Sequence, residues 1–226
     1  MLNFRGLLSR SVLPLVAIAG SSWLAIPSAI AQPQLSWQGV TNRMFGGKEP
    51  RAPGSGGRGG PRPADLCWIT PTETLWNSRP QLVWSGSFRT VGIRPVGTET
   101  LLWRSVAPAG NRLHRLEYGG TPLKPGKAYE WVFFFSENAN TPMLQVPFQL
   151  VDANQQTAIK TDLAKLANQY QKQKINTEAL ALQRANYFAQ QQLWSDVLQE
   201  VYSVKSPSKQ LQQVAQAIEA KVCQRK

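Results

Sequence analysis

Seven consecutive residues, Tyr129-Glu130-Trp131-Val132-Phe133-Phe134-Phe135, restrict the fold more than any other stretch of this chain. In an extended strand, side chains alternate between two faces. Tyr129, Trp131, Phe133 and Phe135 therefore share one face, and Glu130, Val132 and Phe134 share the other. A strand with one face in water needs one apolar face; this one has nearly two. It reads as a central strand, or as one whose second face meets another layer of the protein.

Shorter runs of the same kind surround it. Gln81-Leu82-Val83-Trp84 follows Arg79-Pro80 and stops at Ser85-Gly86. Val91-Gly92-Ile93 stops at Pro95, Leu101 to Val106 at Pro108-Ala109-Gly110-Asn111, and Leu113 to Tyr118 at Gly119-Gly120. Met143 to Leu150 closes the series. Strand-sized, aromatic and β-branched runs with regular turn signals predict a β-sandwich over 66–152. Two motifs are more specific: Pro80-Gln81-Leu82-Val83-Trp84, and Leu123-Lys124-Pro125-Gly126-Lys127-Ala128-Tyr129-Glu130-Trp131. They resemble the Pro-x-x-x-Trp and Leu-x-Pro-Gly-x-x-Tyr-x-Trp strands of immunoglobulin-like and fibronectin type III-like modules in exported bacterial proteins. The resemblance implies an antiparallel sandwich and says little of function.

Beyond Asp152 the period changes to helical. Ile159, Leu163, Leu166 and Tyr170 recur on one helix face, and Asn176 and Thr177 are capping residues for a second helix. A third begins near Leu193-Trp194, and Ser206-Pro207 signals a fourth carrying Leu211, Val214, Ile218 and Val222. Residues 185–198 look like one tetratricopeptide-type hairpin; without a second repeat, the simpler expectation over 153–226 is a helical bundle against the sandwich. The expected class is α+β: an immunoglobulin-like antiparallel sandwich followed by helices.

The N-terminus carries an address. Arg5 and Arg10 precede an uncharged stretch from Ser11 to Ala25, and Ala29-Ile30-Ala31 forms a small-x-small site with cleavage expected before Gln32. These are the marks of a secretory signal peptide over 1–31, and they predict a periplasmic or extracellular protein. No later segment is apolar enough to span a bilayer. Residues 32–65, with Arg51-Ala52-Pro53-Gly54-Ser55-Gly56-Gly57-Arg58-Gly59-Gly60-Pro61-Arg62-Pro63, read as a flexible basic linker. One arginine-glycine segment in an exported chain is poor evidence for nucleic acid binding.

The formal charge is +12, and the loss of Arg5 and Arg10 leaves +10. The excess is spread at +3 over 32–65, +2 over 66–152 and +5 over 153–226. Diffuse positive charge suits anionic envelope polymers or lipid headgroups, and equally serves solubility alone. Cys67 and Cys223 are the two cysteines. In an oxidising compartment they form a bridge, or stand as two buried thiols. The order of features — signal peptide, Gly/Arg/Pro-rich segment ending at Cys67, Pro- and Trp-rich β region, tail with Tyr187 and Trp194-Ser195-Asp196 — resembles the cyanobacterial exported family labelled domain of unknown function 928. The resemblance extends over most of 50–205, and that family brings no activity with it.

Chemistry-bearing motifs are scarce. The only histidine, His114, alternates with Leu116 and Tyr118 and reads as a half-buried structural residue. No nucleophile elbow, phosphate-binding loop, metalloprotease motif or Cys-x-x-Cys occurs, so neither catalytic residues nor a cofactor or metal is expected. Glu73, Glu99, Glu117, Glu130 and Glu137 form no close pair of the kind a glycosidase needs. The remaining candidate is a binding surface of Arg89, Arg94, Arg104, Arg112 and Arg115, near Arg79 and among Trp76, Trp84, Phe88 and Trp103. The competing reading buries those rings in the core and leaves the arginines as solvated strand edges. The chain thus reads as an exported, non-enzymatic binding or scaffold protein. Its expected partner is an envelope protein or an anionic polymer. The alternatives are an electrostatic binder of anionic lipid or polysaccharide, and a cell-wall or polysaccharide hydrolase.

Overall fold

The computed structural model describes residues 35–46, 66–70, 73–110, 112–173 and 176–223. The expected leader, with its Ala31–Gln32 junction, and the glycine-rich run 51–63 lie outside them.

Two sheets form the β region. Strands β1 (Cys67–Trp68), β3 (Gln81–Ser85) and β6 (Leu113–Glu117) make a three-stranded antiparallel sheet in the order β1-β3-β6. Strands β2 (Thr74–Leu75), β4 (Thr90–Pro95), β5 (Trp103–Val106), β7 (Ala128–Phe134) and β8 (Leu144–Leu150) make a mixed sheet in the order β2-β8-β7-β4-β5. Only the β2–β8 pairing is parallel. Side chains from both sheets meet in one core. Leu82 and Trp84 come from the first sheet, and Val91, Ile93, Trp131, Phe133, Val146 and Phe148 from the second. Ring pairs lock it: Trp68 meets Phe133 edge-on at 4.7 Å, and Phe88 meets Phe133 at 4.8 Å.

Six residues of the run, Tyr129 to Phe134, lie in β7 between β4 and β8, as their two apolar faces demand; Phe135, expected to share the face of Tyr129, Trp131 and Phe133, lies beyond the strand and is exposed. The second face of β7 does not meet the helices. Val132 and Phe134 are buried there, with the Arg104 guanidinium 4.1 Å above the Phe134 ring and Glu130 paired to Arg94 at 2.6 Å. Gly92 sits opposite Val132 on the same face. A Cβ there would fall 2.9 Å from the Trp103 carbonyl oxygen and 3.0 Å from Leu101. Glycine is what lets this cover lie so close.

Among the described residues five helices follow in chain order: α1 (Trp37–Gly46), α2 (Ala153–Lys172), α3 (Thr177–Gln190), α4 (Trp194–Ser203) and α5 (Lys209–Cys223). Asp152 caps α2 by accepting from the Gln155 N–H, and Asn176 caps α3 by accepting from the Ala179 N–H, each at 2.8 Å. The helices enclose a second core, to which the β region contributes Ile69, Val83 and Val151. Alternation in β3 explains the sharing: Leu82 and Trp84 face the other sheet, and Val83 faces the helices.

Helix α1 corrects the expectation that 32–65 is linker throughout. Trp37, Val40 and Met44 form an i, i+3, i+7 stripe, each at most 2 % exposed, packed into the helical core. The Glu178 carboxylate accepts from the Trp37 indole N–H at 3.2 Å and from Ser208 through its N–H and hydroxyl. Burial opposes its charge. Bonds from Ser208 and Trp37 outweigh that and hold its carboxyl below the ordinary value. A disulfide joins Cys67 of β1 to Cys223 of α5, with Cα atoms 5.5 Å apart.

Candidate functional site

The five arginines singled out in the sequence do not form one surface. Arg89 pairs with Glu137 at 2.5 Å, and Arg94 with Glu130 at 2.6 Å. Arg104 donates to the Thr90 hydroxyl and to the carbonyls of Ser136 and Ala139. These three belong with the five-stranded sheet. Arg115, on the other sheet, donates to the Tyr202 carbonyl at 2.6 Å and so fastens β6 to α4. Arg112 precedes β6 and is exposed. The aromatic rings meant to accompany them are in the cores: Trp84 is fully buried and Phe88 is 8 % exposed. Arg89, Arg112 and Arg115 are exposed and Arg94 and Arg104 half-buried, but they divide between the two sheets, and the single surface is not assembled.

A different site forms where the β4–β5 loop meets the turn before β7. A groove of about 680 Å³ is lined by Pro95, Val96, Leu102, Tyr118 and the run Thr121–Lys124 with Lys127–Tyr129. Its walls are fixed through the backbone. The Leu102 N–H donates to the Ile93 carbonyl at 2.8 Å and the Val96 N–H to the Ala128 carbonyl at 3.2 Å. The Leu123 N–H donates to the Ser78 carbonyl at 3.0 Å. Gly126, at φ +68°, completes the Pro125-Gly126 turn, and its N–H donates to the Val151 carbonyl at 2.8 Å. The turn thereby holds Lys124 and Lys127 on a rigid frame with both side chains exposed.

Two properties distinguish this groove. Val96 and Leu102, each 47 % exposed, place two of the four exposed large hydrophobic side chains among the described residues in one groove; the other two, Val106 and Phe135, lie outside it. No carboxylate lines it, and neither lysine forms an ion pair with a described carboxylate. Glu99, on the same loop, lines a neighbouring groove with Arg94 and Arg104 instead. Tyr129 accepts from the Lys124 N–H at 2.9 Å. The Tyr118 hydroxyl is buried with no hydrogen-bond partner among the described residues, and burial raises its pKa. Gly120 leaves room for it, since a Cβ there would collide with the hydroxyl.

The acids lie elsewhere. Asp196 and Glu200, one turn apart on α4, are buried in the helical layer. Asp196 accepts from the backbone N–H groups of Trp76 at 2.8 Å and Asn77 at 2.9 Å; Glu200 pairs with Arg184 at 2.9 Å. Neither lines a groove described here. Their chemistry is that of a latch between helix and sheet. His114 is 4 % exposed, stacked on Trp84 at 5.2 Å and bonded through Nε2 to the Gly110 carbonyl. Among the described residues no group of three His, Cys, Asp or Glu is placed to hold a metal ion, and no helix is long and apolar enough to cross a membrane.

In the sequence, Lys124 and Lys127 stand inside the Leu123-to-Trp131 motif, which speaks for fold and not for binding. The available signal was the Pro-Gly turn itself, which presents the residues on either side of it. No family model, curated protein or solved structure matches this chain.

Proposed function

We propose that this is an exported, non-enzymatic binding protein of the cell envelope, and that the groove beside the Lys124–Lys127 turn is its binding site. The observation that carries the reading is the pairing of exposed aliphatic surface with two uncompensated cations on a fixed frame. Binding sites combine apolar walls with a few placed polar groups in this way. Export is supported by the tripartite leader and by the Cys67–Cys223 bridge, a bond that persists in oxidising compartments.

An immunoglobulin-like or fibronectin type III-like platform is the fold reading that goes with it. Its support is the strand arrangement: two facing sheets, a short second strand running parallel to the last, and Trp84 in the shared core. Kinship with the cyanobacterial exported family is proposed on the order of its parts.

Cosedimentation of the chain from Gln32 with isolated envelope fragments, over a series of salt concentrations, tests the function. Retention is expected, and Lys124→Glu with Lys127→Glu weakens it. The rival is adsorption by diffuse charge, favoured by the +5 excess over 153–226. That rival predicts retention lost with salt, and weakened as much by the same charge reversal placed away from the groove, at exposed Lys205 and Lys209. No retention at any salt concentration overturns both.

A further inference from the structure

We infer that the groove takes an anionic amphiphile as a single molecule: an apolar chain ending in one carboxylate or phosphate. The inference rests on the reading of this groove as the binding site and names what fills it. Its volume, about 680 Å³, is that of a small-molecule site rather than of a protein interface. Pro95, Val96, Leu102, Pro122 and Leu123 supply walls that a hydrocarbon chain would cover, and the half-exposed Val96 and Leu102 are the side chains with most surface left to bury.

The polar end follows from charge. Lys124 and Lys127 border the groove, and no acid lines it, so a cation is repelled and an anion is attracted. Lysine is a point charge without the planar fork of arginine, so it accepts carboxylate and phosphate alike. Two hydroxyls add directional donors. Tyr129 spends its oxygen on the Lys124 N–H and keeps its proton for an acceptor. The Tyr118 hydroxyl, closed off behind the lining, has no hydrogen-bond partner among the described residues and meets a ligand through a shift of its ring. A sugar polymer needs rows of side-chain donors and acceptors. The lining has no Asn, Gln, Asp or Glu to provide them.

Titration calorimetry on the oxidised chain from Gln32, with ligands below their aggregation concentrations, tests the inference. Dodecanoate and dodecyl phosphate are expected to bind; which of them binds better tells the carboxylate from the phosphate source. Dodecyltrimethylammonium is expected not to bind, and dodecanol only weakly. Lys124→Gln with Lys127→Gln should lower affinity by about tenfold, the combined worth of two partly solvated ion contacts. Leu102→Ser should lower it as well, and Arg112→Gln should not. Tyr118→Phe separates binding from folding. Removing an unpartnered buried hydroxyl leaves the melting temperature unchanged or higher, while affinity for both anions falls.

Equal binding of the cationic and anionic chains overturns the inference, as does affinity indifferent to the lysine substitutions. Binding to phosphatidylglycerol vesicles alone, with no binding of the monomeric chains, replaces it with docking on a membrane surface. If neither anion binds while envelope retention still depends on Lys124 and Lys127, the ligand class is wrong and the binding site stands. If retention fails too, both readings fall.

Discussion

Asp196 sits fully buried with both carboxylate oxygens spent on backbone N–H groups. Burial pushes its pKa up to about 7 against those bonds. Glu200 is also pushed up to about 7, by burial first, with Arg184 opposing and Asp196 adding. The folded protein therefore binds these two protons more tightly than the unfolded chain does. The stability they confer is fully present below about pH 4 and is lost as pH rises through about 7. A thermal melt followed from pH 5 to 8 should show a falling midpoint; a flat or rising profile contradicts the assignment. Asp162 and Glu178 are shifted downward, so their contribution changes only at and below the ordinary carboxylate range. Asp196→Asn keeps one acceptor and removes one of the two titrations, so it should flatten the profile at a modest loss of stability. Asp196→Ala strands two buried N–H groups and should cost about 2–5 kcal/mol by denaturant unfolding.

Among the elements, α1 shows how ten residues join a core from a distance in sequence. Trp37 is 2 % exposed in the core that the helices share, and α1 packs on α3 and α5. Trp37→Ala should therefore cost about 3–5 kcal/mol. A loss below about 1 kcal/mol in denaturant titration would mean that α1 melts apart from the rest. The helix was hidden by averaging over 32–65, where Gly and Pro dominate the composition; the stripe Trp37, Val40, Met44 was present throughout. Strands β3 to β8 were legible because their period-two runs end at Pro, Gly or Asn. Strands β1 and β2, two residues each, are too short for any period to register. The groove was illegible for another reason. Leu102 and Lys124 are brought together by the β5-β4-β7 pairing, and no local pattern records which strands become neighbours. The acid pair on α4 was missed because helix periodicity marks apolar residues, and a buried carboxylate is recognised only by the backbone groups that satisfy it.

For the molecule as a whole, the Cys67–Cys223 bond closes a loop with a sequence separation of 156 around both sheets and helices α2 to α5. In the chain-entropy description such a closure is worth about 5 kcal/mol through the unfolded state. The Cys67→Ser, Cys223→Ser double variant should lose a comparable amount in denaturant unfolding, and the oxidised wild type should lose it on reduction. A loss below about 1 kcal/mol would mean that native strain cancels the entropic gain.

The same bond has a mechanical consequence. It makes the start of the first strand and the end of the last helix a single point of attachment. Tension between the chain before Cys67 and the chain after Cys223 passes through sulfur and bypasses every strand and helices α2 to α5. Among the described elements, only α1 stands in the line of pull. Held this way, the body is a bead clipped to a tether, and its groove keeps its shape under load. Once the clip is cut, unfolding under load releases a segment of 156 residues and lengthens the tether by roughly 50 nm.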